Sequence, residues 1–494
     1  MENLLEEKTN RLWDKAYVKL LVISFVALYV YLIGQTEPIV GILLAIAPVA
    51  ILALTLLFAN PRFALITLFY YSYFAMGVTR YIPAQLGLGV DGLLLLTYLA
   101  LFFKSYKGDV GFSRVRNDLS LICLIWYLYA IFELLNPIAE SRIAWVYAMR
   151  GFSLYFFLSI PVTFVVFNKY RDLNLILKLW LIFSILGIAK GLQQLYIGMD
   201  YAEQAWLDHG GALTHIIWSG LRVFSFYTDA GQFGATIAHS GVVFAIIGIG
   251  ELNRRRKIGY LIVAALCFYG MSISGTRGAM AVPAGGFFLF LLLTKNWKLF
   301  LISGFFMVLA FGFFNYTNIG NGNAQIRRMR SSFDKNDPSL KTRIANQARL
   351  KVYMADKPFG CGLGTTGSFG SQYTPYLFVS QVPTDSWFVA IWVEQGEVGL
   401  TLHIFILAYC LLRGTWIVLT KIKDRKLYYQ TSGLLCGYLG IVGASYGNTV
   451  FGQMPTSIIT YMSLAFIFMA PQYQKEIDET NALAQEQKIK TIAI

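Results

Sequence analysis

The sequence predicts an all-α polytopic membrane protein with about 12–14 transmembrane helices and one large extracytoplasmic loop. Two observations carry this. The 494-residue chain is 56% hydrophobic and only 14% charged, whereas soluble domains carry about 25% charge. Its apolar residues also fall into repeated runs of about the 20 residues that a spanning helix needs. A soluble enzyme, a disordered chain and a secreted disulfide scaffold are excluded on the same grounds.

The runs lie at about 17–34, 39–59, 62–79, 82–104, 118–137, 144–167, 172–197, 231–250, 258–274, 277–294, 297–315, 386–412, 429–449 and 455–472. Their length and uninterrupted apolar character predict a helix at each. The charges between runs test the layout. Arg62 follows the second run; Lys104, Lys107, Arg114 and Arg116 the fourth; Lys169 and Arg171 the sixth; Arg254, Arg255, Arg256 and Lys257 the eighth. Lys295 and Lys298 follow the tenth, and Arg413, Lys421, Lys423, Arg425 and Lys426 the twelfth. Every one of these basic connectors follows an even-numbered run. The positive-inside rule makes that side cytoplasmic and places both termini there. The expected organisation is a single transmembrane domain, 1–472, with a large extracytoplasmic loop at 315–385 and a polar cytoplasmic tail at 473–494. The opening stretch, Met1 to Lys19, mixes acids and bases without an apolar core and does not read as a cleavable signal peptide.

The net charge of +14 is accounted for by these connectors. No basic domain stands clear of the apolar runs, so no nucleic-acid partner is expected. Cys123, Cys267, Cys361, Cys410 and Cys436 show no metal-ligand spacing, and His209, His215, His239 and His403 are scattered. No metal and no cofactor are expected.

The cations predicted on the outer side invite chemistry. Arg150 sits about six residues inside the outer end of its run, roughly 9 Å deep, and Lys190 is about as deep. Arg222 opens RVFSFYTDAGQFG, and Arg277 lies in SISGTRGA, the turn between the ninth and tenth runs. Half-buried cations need anions, and the planar fork of arginine suits phosphate oxygens. Snorkelling to the interface, or pairing with Asp91, Glu133 or Asp229, is the plainer alternative. The outer loop holds nine Lys/Arg before Asp385, among them Arg328, Lys335 and Arg343, against Asp334, Asp337 and Asp356. Asp385 is the last polar residue before the twelfth run. It is a candidate general base and equally a candidate helix cap. Glu394 and Glu397 either line the same face or belong to a short surface helix.

The pattern from about 220 to 415 is ordered. Arg222 is followed by Ser274-Gly275-Thr276-Arg277-Gly278, by Arg343 in the long loop, and by Pro358-Phe359-Gly360-Cys361-Gly362. Asp385-Ser386 and Glu394-Gln395-Gly396 through Gly399 complete it. In this the chain resembles the bacterial O-antigen ligase and O-antigen polymerase family, polytopic enzymes of surface-polysaccharide assembly. The ligases of that family carry a His where this chain has Asp385, and a Ser where it has Thr276.

The resemblance implies an architecture similar to the glycosyltransferase C type, in the bacterial inner membrane, with the active site on the periplasmic side. It implies a metal-independent glycosyltransferase taking a glycan from an undecaprenyl-pyrophosphate carrier. Arg222 and Arg277 would act on the pyrophosphate, with Arg343, Arg150, Lys190 and Glu394 binding substrate and Asp385 serving the acceptor hydroxyl. The expected partners are the lipid-linked glycan, an acceptor glycan or lipid A core, membrane lipids and other polysaccharide-assembly proteins. Asp385 in place of His leans the reading toward a repeat-unit polymerase. Ligation to lipid A core, protein O-glycosylation, and a polysaccharide transporter or flippase that would use Asp91, Glu133 and Arg150 remain as alternatives.

Overall fold

The computed structural model describes residues 16–35, 38–82, 84–108, 110–218, 220–294, 296–334 and 336–492. The expectations for residues before Ala16, for Lys295 and for Lys335 lie outside these. The helices in chain order are α1 (Ala16–Gln35), α2 (Pro38–Ala59), α3 (Pro61–Val78), α4 (Leu88–Tyr106), α5 (Asp118–Phe132), α6 (Arg142–Met149) and α7 (Tyr155–Val166). There follow α8 (Tyr170–Tyr196), α9 (Tyr201–Trp206), α10 (Ala212–His215), α11 (Ala230–Gly250), α12 (Arg254–Ile273), α13 (Ala281–Leu293) and α14 (Trp297–Tyr316). The long loop contains α15 (Ala324–Arg330), α16 (Pro338–Tyr353), α17 (Gly367–Tyr373) and α18 (Phe378–Gln381), and the chain ends with α19 (Trp387–Lys421), α20 (Arg425–Ala444) and α21 (Thr456–Ile492). A two-stranded antiparallel hairpin, β1 (Ile216–Ile217) and β2 (Gly220–Leu221), pairs Ile216 with Leu221.

The protein is thus an all-α polytopic membrane protein, and each of the fourteen apolar runs falls on a helix. Among the described residues seven helical stretches are long and apolar enough to cross a membrane, or eight if the bent pair Ile46–Ala59 and Pro61–Val78 is one span. Other runs form helices that are shorter or more polar. Arg277–Leu293 falls short of a full span, and α20 buries Gln430, Thr431 and Ser432 against other helices instead of facing lipid. Three boundaries move. The run at 82–104 becomes helical only at Leu88, the run at 429–449 ends at Ala444, and the tail continues α21 without a break to Ile492.

The chain divides into two compact units, Met1–Ala64 and Leu65–Ile494. In the first, α1 packs on α2. In the second, α11 is the innermost helix: Ala230–Gly250 is almost wholly buried, with α12 and α20 against it. Small residues let these helices close up, as is usual where lipid gives no hydrophobic push between them. A Cβ on Gly437 of α20 would stand 2.3 Å from the His239 ring of α11. A Cβ on Gly440 would stand 2.6 Å from the Val282 carbonyl of α13.

The connectors carrying the basic clusters meet at one end of this unit. Arg413 pairs with Asp118 at 3.2 Å, Arg425 donates to the Gly250 carbonyl, and the Lys423 and Asp424 amides donate to Gln474. Arg222, Arg277 and Arg328 gather at the other end.

Candidate functional site

Three segments bring Arg222, Arg277 and Arg328 together. The β1–β2 hairpin delivers Arg222. Its amide donates to the His215 carbonyl at 2.8 Å and its Nη1 to the Thr214 carbonyl at 2.9 Å. The turn after α12 follows Ser274-Gly275-Thr276. Gly275 has φ +60°, a left-handed conformation that a side chain would strain. A Cβ there would also lie 3.2 Å from Arg328 Nε and 3.3 Å from Arg222 Cγ. The glycine therefore lets both arginines approach the turn. Thr276 is buried, accepts from Arg222 Nη2 at 3.1 Å and donates to the Ala230 carbonyl at 2.8 Å. Its hydroxyl, standing where the ligases it resembles carry serine, ties Arg222 to the start of α11.

Arg277 follows at once. Its Nη1 donates to Ser331 Oγ at 3.2 Å and bonds Asp337, the N-cap of α16. Burial pushes the Asp337 carboxyl up, but the bond from Arg277 and those from backbone amides outweigh it and hold it below its usual range. Arg328, from α15, donates through Nε to the Gly275 carbonyl. Burial, followed by the like charges of Arg222 and Arg277, pushes its guanidinium down to about 10. Burial likewise lowers Arg222, with Arg277 adding to the effect and Asp229 opposing it. Arginine keeps its charge at neutral pH even so, and the cluster concentrates positive charge in partly desolvated surroundings.

Two donors here have nothing to bond. Arg222 Nε and Asn448 Nδ2 are buried without a hydrogen-bond partner among the described residues. Asn448 lies in the turn after α20, where a Cβ on Gly278 would stand 2.4 Å from its Nδ2. Unsatisfied buried donors are costly and call for an explanation, and one is an anion that they help to bind.

Asp385 joins through Arg343. The Arg343 Nε to Asp385 Oδ2 distance is 3.4 Å, with the side chains 36% and 47% exposed. An open pair of this kind is worth at most about 1 kcal/mol, so Asp385 is readily available to another partner. Arg343 Nη1 lies 3.8 Å from a Cβ built on Gly447, whose own nearest neighbour is Gly278 Cα. This puts Arg343 beside the same turn as Arg277. The cap alternative for Asp385 fails: the N-cap of α19 is Ser386, and the hydrogen bond of the Asp385 carboxylate goes to Arg343 and not to a helix amide.

Three of the sequence-predicted residues are engaged elsewhere. Arg150 Nε sits 2.7 Å from Asp91, and its Nη2 donates to the Gly87 carbonyl and to Tyr155. Lys190 bridges Asp200 and Glu203 at 3.0 Å each. Glu394 is buried and turned inward: it accepts from the Gly364 and Thr366 amides and from the Thr366 hydroxyl. These bonds dock the glycine-rich segment on the break in α19. Gly396 has φ +70°, and a Cβ there would come within 2.0 Å of the Pro358 carbonyl. The Pro358–Gly362 and Glu394–Gly396 motifs are thus the two halves of one clasp.

Sequence reading missed the support behind Arg222. Gln194 accepts from the Phe224 and Ser225 amides and donates to Glu203, so Lys190 and Glu203 brace the segment that carries Arg222. Arg80 donates to the Ser225 carbonyl at 3.0 Å and lies over the Phe224 and Trp206 rings. Arg80 is a lone cation at the end of an apolar run, and nothing in its spacing links it to residue 225. Arg328 was visible only as one of many loop cations, and Asn448 was hidden inside an assigned run.

Fold and site together define a class: a multi-pass helical membrane protein with a cationic site assembled from the segments between its helices. Residues 262–404 match the family model described as O-antigen ligase. The stretch from α12 into α19, with Arg277, Arg328, Arg343, Asp385 and Glu394 inside it, therefore carries the O-antigen ligase family pattern. A search of curated proteins finds no match. The family match supports a glycan-assembly function of the ligase or polymerase type.

Proposed function

We propose that the protein transfers a glycan from an undecaprenyl-pyrophosphate carrier to an acceptor sugar on the periplasmic side of the bacterial inner membrane, as a repeat-unit polymerase. The observation that carries this reading is the gathering of Arg222, Arg277 and Arg328 about one turn, with the buried donors Arg222 Nε and Asn448 Nδ2 unpartnered among the described residues. Such a group of fixed donors suits a pyrophosphate and stabilises the charge that grows on it as the glycosidic bond breaks. Asp337 aims Arg277 through its ion pair. Asp385 takes the proton of the attacking hydroxyl, and Arg343 stands beside it as its counter-charge. Bond formation between the acceptor oxygen and the anomeric carbon accompanies departure of the lipid pyrophosphate.

Ligation to lipid A core is the second reading, favoured by the description of the matching family model. The transporter reading loses support from Asp91 and Arg150, which neutralise each other. Deleting the gene and resolving surface glycan on gels separates the outcomes. Loss of chain length supports the polymerase, loss of attachment to lipid A core supports the ligase, and unmodified protein supports O-glycosylation.

A further inference from the structure

A second cationic site lies at the opposite end of the second unit. Helices α5, α19 and α21 all extend between the arginine end and this one. Arg413 is 17 residues past the Gly396 break, roughly 25 Å along the axis at about 1.5 Å per residue. Here Arg114 and Arg116, from the segment leading into α5, face Arg413 and Lys421 at the end of α19 across a cavity of about 490 Å³. Polar and apolar side chains share its lining, among them Asn117, Gln472, Trp416 and Phe468.

The charge balance points to an anionic ligand. Among the side chains that line the cavity, the four cations meet one carboxylate, Asp118, which is already taken by Arg413 at 3.2 Å and by the Tyr409 hydroxyl at 2.5 Å. Arg114, Arg116 and Lys421 have no ion pair among the described residues. Trp416 stands 42% exposed at the rim. Arg413 lies over its ring at 4.3 Å and Lys421 at 4.7 Å, so the indole fixes both cations beside the opening. Tryptophan with basic side chains at the end of a membrane-spanning helix marks the headgroup level of a bilayer. Cations beside an exposed indole at that level match a lipid that carries a phosphate on an acyl body.

We propose that this cavity binds the phosphate headgroup of an anionic phospholipid in the leaflet remote from the arginine cluster, with the acyl chains leaving past the exposed Trp416 ring. The site is separate from the transfer chemistry and does not depend on the function proposed above.

The test uses full-length protein in phosphatidylcholine nanodiscs, with phosphatidylglycerol or further phosphatidylcholine added in acyl-brominated form. Bromine quenches nearby tryptophan, and the difference between wild type and Trp416→Phe isolates the Trp416 signal. Brominated phosphatidylglycerol is expected to quench it at much lower mole fraction than brominated phosphatidylcholine. Removing Arg114, Arg116 and Lys421 together by alanine substitution should erase that preference, by about fivefold for each cation lost. These side chains are exposed, so the variant should fold, and its retained unfolding temperature checks this. Equal quenching by the two lipids overturns the proposal, as does a triple variant that keeps the preference. If inorganic phosphate alone displaces brominated phosphatidylglycerol at concentrations comparable to the lipid, the site takes a free anion and the lipid assignment falls.

Discussion

Arg222 Nη2 donates to Thr276 Oγ1 across 3.1 Å and so ties the hairpin before α11 to the turn after α12. Through this bond two cations that are 55 positions apart in the chain, Arg222 and Arg277, are held at one place. The cationic cluster therefore needs both segments folded before it can assemble.

Arg222→Ala and Arg277→Ala should each nearly abolish transfer in purified protein while membrane insertion is unchanged. A fixed donor to a developing anion is worth about 3–4 kcal/mol, or about a hundredfold or more in rate. Lysine at either position should restore part of the activity, since it supplies charge without the two-pronged geometry. Full turnover by both alanine variants, measured with a lipid-pyrophosphate donor, would remove these residues from the mechanism.

Asp385→Asn should leave donor affinity and thermal stability near wild type and lower kcat. Stability is spared because the Asp385 carboxylate bonds no helix amide and its pair with Arg343 is exposed. Donor affinity is spared because the proposed mechanism assigns the carboxylate to the acceptor. Single-turnover measurements at saturating donor decide the point, and an unchanged rate would move the base to another residue.

Glu394→Gln and Gly396→Ala should loosen the long loop. Glutamine presents one acceptor oxygen where Glu394 uses two, and each stranded donor costs about 1–3 kcal/mol. Alanine at 396 meets both the positive φ and the Pro358 carbonyl. Both variants should unfold at lower temperature and be cut sooner by protease between 358 and 366. Wild-type cleavage kinetics would show that the clasp does not hold the loop.

A cysteine at Ser371 tests the assigned side of the membrane. Ser371 is exposed, whereas all five native cysteines are buried and should give little background. In cells with a permeabilised outer membrane, an impermeant thiol reagent should label Ser371→Cys. Labelling that appears only after the inner membrane is lysed would invert the topology.

The helices were legible because each span is a long apolar run, and bilayer thickness fixes how long a run must be. The ends were less legible. Asn448 sits among Gly447, Val450 and Phe451, and composition alone extends the helix across it, while the chain turns at Ser445 to bring that amide to the site. Arg222, Arg277, Arg343 and Asp385 could be named from motif order, because charge in a polar turn beside an apolar run is conspicuous. Their sorting could not. Arg150 and Lys190 stand at similar estimated depths, and which cation meets a carboxylate depends on packing between distant segments, as in Lys190 with Asp200 and Glu203. Glu394 misled in the other direction, since an acid near a surface gives no sign that it faces the backbone amides of a remote loop.

The break in α19 at Gly396 puts Asp385 and the long shaft of that helix on opposite sides of one joint. The acid stands eleven positions before that joint, on the side clasped to residues 358–366. Trp387, two positions after the acid, reaches over the joint: its Nε1 donates to His403 Nε2 of the shaft at 3.1 Å and its amide to the Ser445 carbonyl at the end of α20 at 3.0 Å. The stretch that carries the acid is thereby pinned both to the shaft and to the end of α20, so a shift of the shaft within the bilayer is passed on to Asp385 instead of stopping at the joint.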